Sequence, residues 1–237
     1  MARIALINQS CVEPEAIADI CEAATLPDDE ILLIVGDSKL SSDYQGVTLP
    51  RQLAGYATDL FGLQDYLHRN WDCGVSISPT WADRQPDFPA YFAFLLGHEF
   101  GHATTALTDL GVAFFEDLVL RYIPRVAPRK WRWDDMPHEQ AYDQFGMTIA
   151  GKIYGRDTVE WEFVQIVEQG LPADAERLRK ILSLEPRADV SHVRSALANF
   201  RLPYKDDLLR VWKADVASGC LKLIHGLRDF ALLWDAS

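Results

Sequence analysis

Two histidines four residues apart, with a glutamate directly after the first, are the part of this sequence best suited to chemistry. His98, Glu99 and His102 lie in the run LLGHEFGHA at 95–103. Residues four apart on an α-helix project from the same face, so the two imidazoles can bind one metal ion. Glu99 projects about 100° further round the axis, where it can take a proton from water beside the metal. The spacing predicts a metal-assisted hydrolytic site of the H-E-x-x-H kind, and the alternative is a helix with two ordinary, partly buried histidines.

A catalytic metal site of this kind needs a third protein ligand, and the segment PHEQAYDQFG at 137–146 offers one. Neither proline nor glycine occurs from 138 to 145, which predicts a helix. Glu139 and Asp143 are four apart and share a face of that helix. We expect Glu139 to be the third ligand. We expect Asp143 to accept the remaining N–H of His98 or His102, as carboxylates beside ligand histidines do.

Other residues compete for the role of third ligand. Asp109 follows His102 by seven residues, which places it about 10 Å further along the same helix and too far to share the ion. Glu116 and Asp117 stand among apolar residues of another predicted helix, and we expect them to form its solvated polar edge. His138, next to the predicted ligand, is the alternative that stays open.

The order of the motifs resembles that of a known class of enzymes. H-E-x-x-H followed by E-x-x-x-D resembles the gluzincin group of zinc metallopeptidases, the thermolysin-like class whose third ligand is a glutamate on a second helix. The run EQAYDQFG at 139–146 is similar to the corresponding helix of HtpX-like and ImmA/IrrE-like peptidases. Tyr142 stands where those families usually carry alanine, and Ala141 where a second glutamate is common. The resemblance covers residues 90–150.

This resemblance implies a zinc-dependent endopeptidase with an α+β fold, in which a small N-terminal sheet and two zinc-bearing helices form a zincin-like core. His98, His102 and Glu139 would hold Zn²⁺, which activates a water, and Glu99 would be the general base. The strand at 74–78 would be the sheet edge that binds an extended substrate. The ImmA/IrrE-like enzymes further imply selective cleavage of particular cytoplasmic proteins.

Two other functions stay open on the sequence. A zincin fold without hydrolytic activity could use the helix pair as a scaffold for protein binding, and a zinc hydrolase could act on an amide other than a peptide. Several histidines and tyrosines could fold back to donate a hydrogen bond to the transition state, namely His68, His192, His225, Tyr122, Tyr142 and Tyr204.

Composition and charge limit the classes of partner. The 237 residues are 49% hydrophobic and 24% charged, as in ordinary globular proteins, and the net charge is −12. An acidic chain without a basic cluster longer than Arg129-Lys130 lacks the electrostatic footprint of a nucleic-acid-binding protein and is not attracted to anionic membranes. The charge does not argue against a basic protein partner, and the resemblance implies a protein or peptide substrate. The oligomeric state stays open.

The cysteines and apolar runs indicate the compartment. Cys11, Cys21, Cys73 and Cys220 are scattered and form no C-x-x-C pair, which argues against a disulfide framework or a zinc finger. The apolar run at 4–7 is too short for a signal peptide, and no run approaches the roughly 18 apolar residues of a transmembrane helix. We therefore expect a cytoplasmic protein with free thiols.

Hydrophobic periodicity and turn residues predict the elements that position the two motifs. Strands are expected at 3–8, 30–35, 43–49 and 74–78, and helices at 13–24, 51–70, through the H-E-x-x-H motif to 108 or 109, at 112–122, and then at 158–168, 173–184, 190–200 and 205–234. Asp83 or Asp87 is expected to cap the helix that carries the H-E-x-x-H motif. We divide the chain into a catalytic domain at 1–155 and a helical extension at 156–237, which can equally be integral to the same domain.

Overall fold

The computed structural model shows an α+β protein built from a small mixed sheet and a larger number of helices, which confirms the predicted α+β class. The structure describes residues 2–40, 44–51, 62–66, 68–109, 111–113, 115–116, 125–126, 136–171, 173, 175–200 and 204–217. The predicted helix at 112–122 lies mostly outside these residues.

A four-stranded sheet supports the helix that carries the H-E-x-x-H motif. Its strands are β1 (Arg3–Asn8), β2 (Glu30–Val35), β3 (Gly46–Pro50) and β4 (Cys73–Ile77), in the spatial order β1-β2-β4-β3. β1, β2 and β4 are parallel, whereas β3 runs antiparallel to β4 along the edge. The inner strands β2 and β4 are apolar and almost wholly buried, as expected for strands covered on both faces.

The expectation that 74–78 forms the substrate-binding edge of the sheet is wrong. β4 lies between β2 and β3, and the edge strand next to the motif helix is β3. The alternation of apolar and small polar residues at 74–78 is typical of a half-buried strand. However, Ser76 is buried and its hydroxyl donates to the buried carboxylate of Asp37 at 2.8 Å. A polar residue with a buried partner produces the same period of two as a solvated residue.

The remaining N-terminal predictions agree with the structure in part. β1 and β2 have the predicted bounds, and helix α1 (Pro14–Ala24) begins one residue later than expected, with its proline in the first turn. β3 begins at Gly46 rather than at 43 and ends at Pro50. The helix predicted at 51–70 lies largely outside the described residues. Its described part contains a 3-10 helix at Gly62–Tyr66, and residues 68–70 are not helical.

Two long helices carry the predicted motifs. After the single-turn helix α2 (Pro79–Ala82), α3 (Pro89–Thr108) contains the H-E-x-x-H motif and α4 (Pro137–Tyr154) contains the predicted third ligand. α3 packs against β3 and β4 on one side and against α4 on another, and the α3–α4 contact is the most extensive between any two elements in the described part. The buried residues of α3 occupy all its faces along most of its length, which explains why its sequence is apolar throughout.

The described part of the chain beyond Gly155 is mainly helical. The helices are α5 (Arg156–Glu168), α6 (Ala175–Leu182), α7 (Val193–Ala198) and α8 (Lys205–Ala217), which agree with the predicted ones to within a few residues at most ends. Residues 218–237, where the last predicted helix continues, lie outside the described residues. α5, α6 and α7 pack against α4, and the division of the chain at residue 155 stays a prediction. No helix in the described part is long and apolar enough to cross a lipid bilayer.

Glycines make the close packing of α3 on α4 possible. A Cβ atom on Gly146 would lie 2.6 Å from the carbonyl oxygen of Phe94, and one on Gly101 would lie 2.8 Å from the ring of Tyr142. A side chain at either place would force the two helices apart. Gly101 therefore makes room for Tyr142, the large residue that stands where the resembled families carry alanine.

The first turn of α3 is capped by a side chain from α5. Glu162 is buried, and its carboxylate accepts hydrogen bonds from the backbone N–H groups of Ala90 at 3.2 Å and Tyr91 at 2.7 Å. The residue at the N-cap position itself makes no side-chain capping bond. The prediction that Asp83 or Asp87 caps this helix is therefore wrong, because a negative charge from a distant segment satisfies the free N–H groups.

Candidate metal centre

Three side chains from the two long helices converge on one point. The Nε2 atoms of His98 and His102 lie 3.2 Å apart. Glu139 places one carboxylate oxygen 3.4 Å from Nε2 of His98 and the other 3.6 Å from Nε2 of His102. His98 and Glu139 are buried, and His102 is partly buried. The structure thus brings the predicted ligands together as a group that can hold a metal ion, and it is the one such group in the described part of the chain.

The other ring nitrogen of each histidine faces a carboxylate. Nδ1 of His98 lies 2.9 Å from Oδ1 of Asp143, and Nδ1 of His102 lies 3.2 Å from Oε2 of Glu116. An ionised carboxylate only accepts hydrogen bonds, so each Nδ1 carries a proton and donates it. In the neutral imidazole the lone pair is then on Nε2, which leaves that nitrogen ready to bind a metal ion.

With neutral imidazoles, the three groups that face one another are all acceptors. Two nitrogen lone pairs and a carboxylate at separations of 3.2–3.6 Å repel one another unless a cation lies between them. A tetrahedral ion with bonds of about 2.0–2.1 Å to such ligands sets neighbouring ligand atoms about 3.3–3.4 Å apart. The observed separations lie around that value, so the residues present fit a bound metal ion.

Burial and neighbouring charges act on the pKa values of this group in opposite directions. Burial lowers the pKa of His98, but hydrogen bonds with Asp143 and Glu139 outweigh it and raise that pKa to about 10. Burial also lowers the pKa of His102, but the negative charge of Glu116 outweighs this effect and raises the pKa above its ordinary value. Burial raises the pKa of Glu139, whereas the two histidines bring it well below its usual range. The cluster therefore favours positive charge at its centre, either protons or a metal ion.

Asp143 links the cluster to the C-terminal helices. Arg177 of α6 donates through Nη2 to Oδ1 of Asp143 at 2.9 Å and lies 3.9 Å from a carboxylate oxygen of Glu139. Burial raises the pKa of Asp143, but the guanidinium of Arg177 and the bond with His98 bring it below its usual value. Asp143 is thus ionised and forms a hydrogen bond with His98, one of the two histidines predicted as its partner from the sequence.

The carboxylate beside His102 belongs to Glu116, and the expectation that this residue lies on a solvated helix edge is wrong. The hydroxyl of Tyr142 donates to Oε1 of Glu116, while Oε2 faces His102. The ring of Tyr142 also packs on that of His102, with 4.0 Å between the ring centroids. The carboxylate of Glu116 therefore has two polar partners from other helices, Tyr142 and His102, in place of solvent. Asp117 lies outside the described residues.

Sequence reasoning missed Glu116 although one signal pointed to it. Two ligand histidines need two acceptors for their remaining N–H groups, and the spacing of the motifs predicts only one of them, Asp143. Glu116 is the first glutamate after the motif helix, but its pairing with His102 depends on the turn between their two helices.

Glu99 lies against the edge strand β3. The hydroxyl of Thr48 is 2.7 Å from Oε2 of Glu99, and a Cβ atom on Gly46 would lie 2.6 Å from Oε1. Glu99 is buried and follows the ligand His98 in α3, but its carboxylate is not one of the convergent ligand atoms. Glu99 thus follows a ligand in the chain without being one of the three convergent groups, as the H-E-x-x-H pattern requires of a general base.

The rival third ligands are placed differently. Asp109 forms an ion pair with Arg194 of α7 at the far end of α3. His138 is fully buried with Nε2 3.5 Å from Oε1 of Glu139, and burial lowers its pKa. The convergent group contains Glu139 and not His138.

Among the residues considered as transition-state donors, Tyr142 lies at the cluster, with its hydroxyl committed to Glu116. The others considered are His68, His192 and Tyr204, which make no hydrogen bond or ion pair with the cluster within the described residues, and His225 and Tyr122, which lie outside them.

Comparison with known proteins adds no family to this geometry. No protein-family model, no curated protein and no solved structure matches the chain.

Proposed function

We propose that this protein is a zinc-dependent metallopeptidase of the gluzincin type. The observation that carries the proposal is the convergence of His98, His102 and Glu139, with Glu99 directly after His98 in α3 and outside the ligand group. Three protein donors leave a fourth tetrahedral position open, which is the pattern of catalytic rather than structural zinc sites. Two nitrogens and one oxygen, without sulfur, suit zinc and leave the ion with net positive charge.

The surrounding residues have roles in the same chemistry. A bound zinc ion supplies Lewis acidity, which polarises the scissile carbonyl and makes the attacking water more acidic. Glu99 accepts the proton of that water and passes it to the leaving amine. Asp143 and Glu116 keep both imidazoles in the tautomer that binds metal, and Arg177 keeps Asp143 ionised.

The edge strand β3 favours a peptide as the substrate. Gln45 and Arg51, the residues on either side of β3, form backbone hydrogen bonds with Ser78 and Asp72, which flank β4. Along an antiparallel pair, positions bonded to the partner strand alternate with positions that are not. Gly46 and Thr48 therefore direct their N–H and C=O groups away from β4. No strand in the described part pairs with that side of β3. An extended peptide can add there as a further strand, and its main chain would then lie beside Glu99, which Thr48 contacts.

The fold-level part of the proposal is a zincin-like core. It is supported by the mixed sheet with an antiparallel edge strand next to α3 and by the packing of α3 on α4, which carries Glu139. These are the elements that a peptidase of this class needs in order to bring an extended chain to a metal held between two helices.

Replacement of the general base tests the proposal. Glu99→Gln keeps the shape of the side chain but removes its ability to accept a proton. We expect zinc content and thermal stability to be retained while cleavage of an unfolded protein falls by about 10²–10⁴-fold. Glu168→Gln, an exposed glutamate on α5, is the matched control and should cleave like the wild type.

A second arm of the experiment covers a protease that ignores generic substrates. Proteins captured by zinc-loaded Glu99→Gln are incubated with wild-type enzyme and analysed for new termini by mass spectrometry. Partners that the variant holds intact and the wild type cuts would support the peptidase. Equal binding without cleavage by both proteins would replace the peptidase by a binding scaffold.

A further inference from the structure

We propose that Thr48 and Gly46 of the edge strand position the general base, Thr48 through a hydrogen bond to Glu99 and Gly46 by leaving space for its carboxylate. The inference rests on the proposed function, since it concerns the group that moves the proton in that reaction. Neither residue belongs to a motif in the sequence.

The two residues lie on one face of β3 because side chains two apart on a strand project to the same side. That face is turned toward α3, as the contacts of both residues with Glu99 show. The intervening Val47 and the following Leu49 project to the opposite face, where they are buried in a separate apolar cluster. The strand therefore has one apolar face for the core and one face in contact with the base.

The hydroxyl of Thr48 fixes one oxygen of the carboxylate. It lies 2.7 Å from Oε2 of Glu99 and 3.0 Å from the backbone oxygen of the same residue. A hydroxyl has one proton to donate, and an ionised carboxylate is a stronger acceptor than a carbonyl inside a helix that already accepts a helical hydrogen bond. The proton therefore goes to Oε2, and this bond restricts rotation of the Glu99 side chain.

Gly46 determines where the other oxygen can lie. A Cβ atom at this position would be 2.6 Å from Oε1 of Glu99, 2.8 Å from Cγ and 2.9 Å from Cδ. Non-bonded carbon and oxygen atoms do not approach this closely, so any side chain at Gly46 would displace the carboxylate. The displaced atoms are the far end of a flexible side chain. A substitution at Gly46 is therefore expected to move the carboxylate of Glu99 while the fold is retained.

This arrangement connects the base to the binding of a peptide. The same residues that contact Glu99 direct their backbone groups to the side of β3 that pairs with no strand in the described part of the chain. A peptide paired with β3 is thus placed relative to the base by a single strand, without an intervening loop. Misplacement of a reacting group by about 1 Å can cost about 10²-fold in rate, so such a connection matters for catalysis.

Four variants test the inference in the zinc-loaded full-length chain. Thr48→Val keeps the shape and removes the hydroxyl, Thr48→Ser retains the hydroxyl, and Gly46→Ala adds the displacing Cβ. Thr148→Val is the control, since its hydroxyl donates to a helix carbonyl on α4 away from Glu99. We expect Thr48→Val and Gly46→Ala to keep about one zinc per chain and to lose about 10–100-fold in kcat with KM little changed. Thr48→Ser should recover most of the rate lost in Thr48→Val.

A crystal structure of zinc-loaded Thr48→Val gives a readout that does not depend on activity. The Glu99 carboxylate should leave the position it has in the wild type by about 1 Å or more. Wild-type kcat in Thr48→Val, an unmoved carboxylate in its crystal structure, or equal losses in Thr48→Ser and Thr48→Val would each overturn the inference. If the wild type itself cleaves nothing, the proposed function fails, and the position of Glu99 in the two crystal structures still decides whether Thr48 holds it.

Discussion

Nε2 of His98 and Nε2 of His102 lie 3.2 Å apart, although neither nitrogen has a proton to donate to the other when the rings are neutral. Each ring gives its Nδ1 proton to a carboxylate, Asp143 for His98 and Glu116 for His102. Glu139 completes the group with a third acceptor. The fold therefore brings together three groups that need a cation, and the two supporting carboxylates prepare both rings to bind it.

The two supporting carboxylates should each contribute to metal affinity. We expect Asp143→Asn and Glu116→Gln to bind zinc about 10–100-fold more weakly than the wild type, because a ligand histidine without its acceptor loses orientation and basicity. Competition with a chromogenic chelator measures the affinity, with Glu168→Gln as the control. Wild-type affinity in Glu116→Gln would mean that His102 is oriented by another group.

The parts of the site that could be predicted from the sequence are those fixed by local helical geometry. The spacing of His98 and His102, and that of Glu139 and Asp143, follow from residues four apart on one helix. Their meeting across α3 and α4 agrees with the E-x-x-x-D pattern read from the chain. The α+β class was implied by the resemblance, and it agrees with the strands and helices that strong local signals predicted one by one.

The parts that could not be predicted depend on contacts between distant segments. Glu116 reaches His102 only through the turn between their helices, and Glu162 caps α3 from a helix more than 70 residues away. The order of strands also escaped prediction, because the buried Ser76 gives β4 the alternation of a half-exposed strand. A polar residue in a strand pattern has either a buried polar partner or contact with solvent. The periodicity of the sequence does not distinguish these two cases.

The cap supplied by Glu162 should stabilise the whole protein. Glu162→Ala leaves the N–H groups of Ala90 and Tyr91 without their acceptor at the buried start of α3, so we expect a loss of about 1–2 kcal/mol in the free energy of unfolding. Urea denaturation followed by circular dichroism measures it. Glu168→Ala on the same helix is the control and should change the free energy by less than about 0.5 kcal/mol. Equal stability of the two variants would show that water replaces the cap without loss.

The ion pair between Asp109 and Arg194 should make stability depend on pH in acid. Burial raises the pKa of Asp109, but hydrogen bonds from Arg194 and from backbone N–H groups outweigh it and lower that pKa below its ordinary value of 3.8. A carboxyl with a lowered pKa in the folded state stabilises the protein above its unfolded pKa, and this contribution is lost as the pH falls through the folded value.

Asp109→Asn should therefore have a lower Tm than the wild type at pH 7, and the difference should shrink as the pH falls below about 4. Thermal unfolding of both proteins from pH 7 to pH 3 checks this, with the exposed Asp87→Asn as the control. A difference in Tm that stays constant over the whole range would contradict the role assigned to the ionised carboxylate.

The central claim is that His98, His102 and Glu139 together hold one zinc ion, and the metal content of the Glu139→Ala variant tests it most directly. Zinc per chain is measured by inductively coupled plasma mass spectrometry after both proteins are loaded and passed through a desalting column. We predict about one zinc per chain in the wild type and in the Glu168→Ala control, and little or none in Glu139→Ala, because two histidines alone do not form a catalytic zinc site. Full retention of zinc by Glu139→Ala, or its absence from the wild type, would contradict the account.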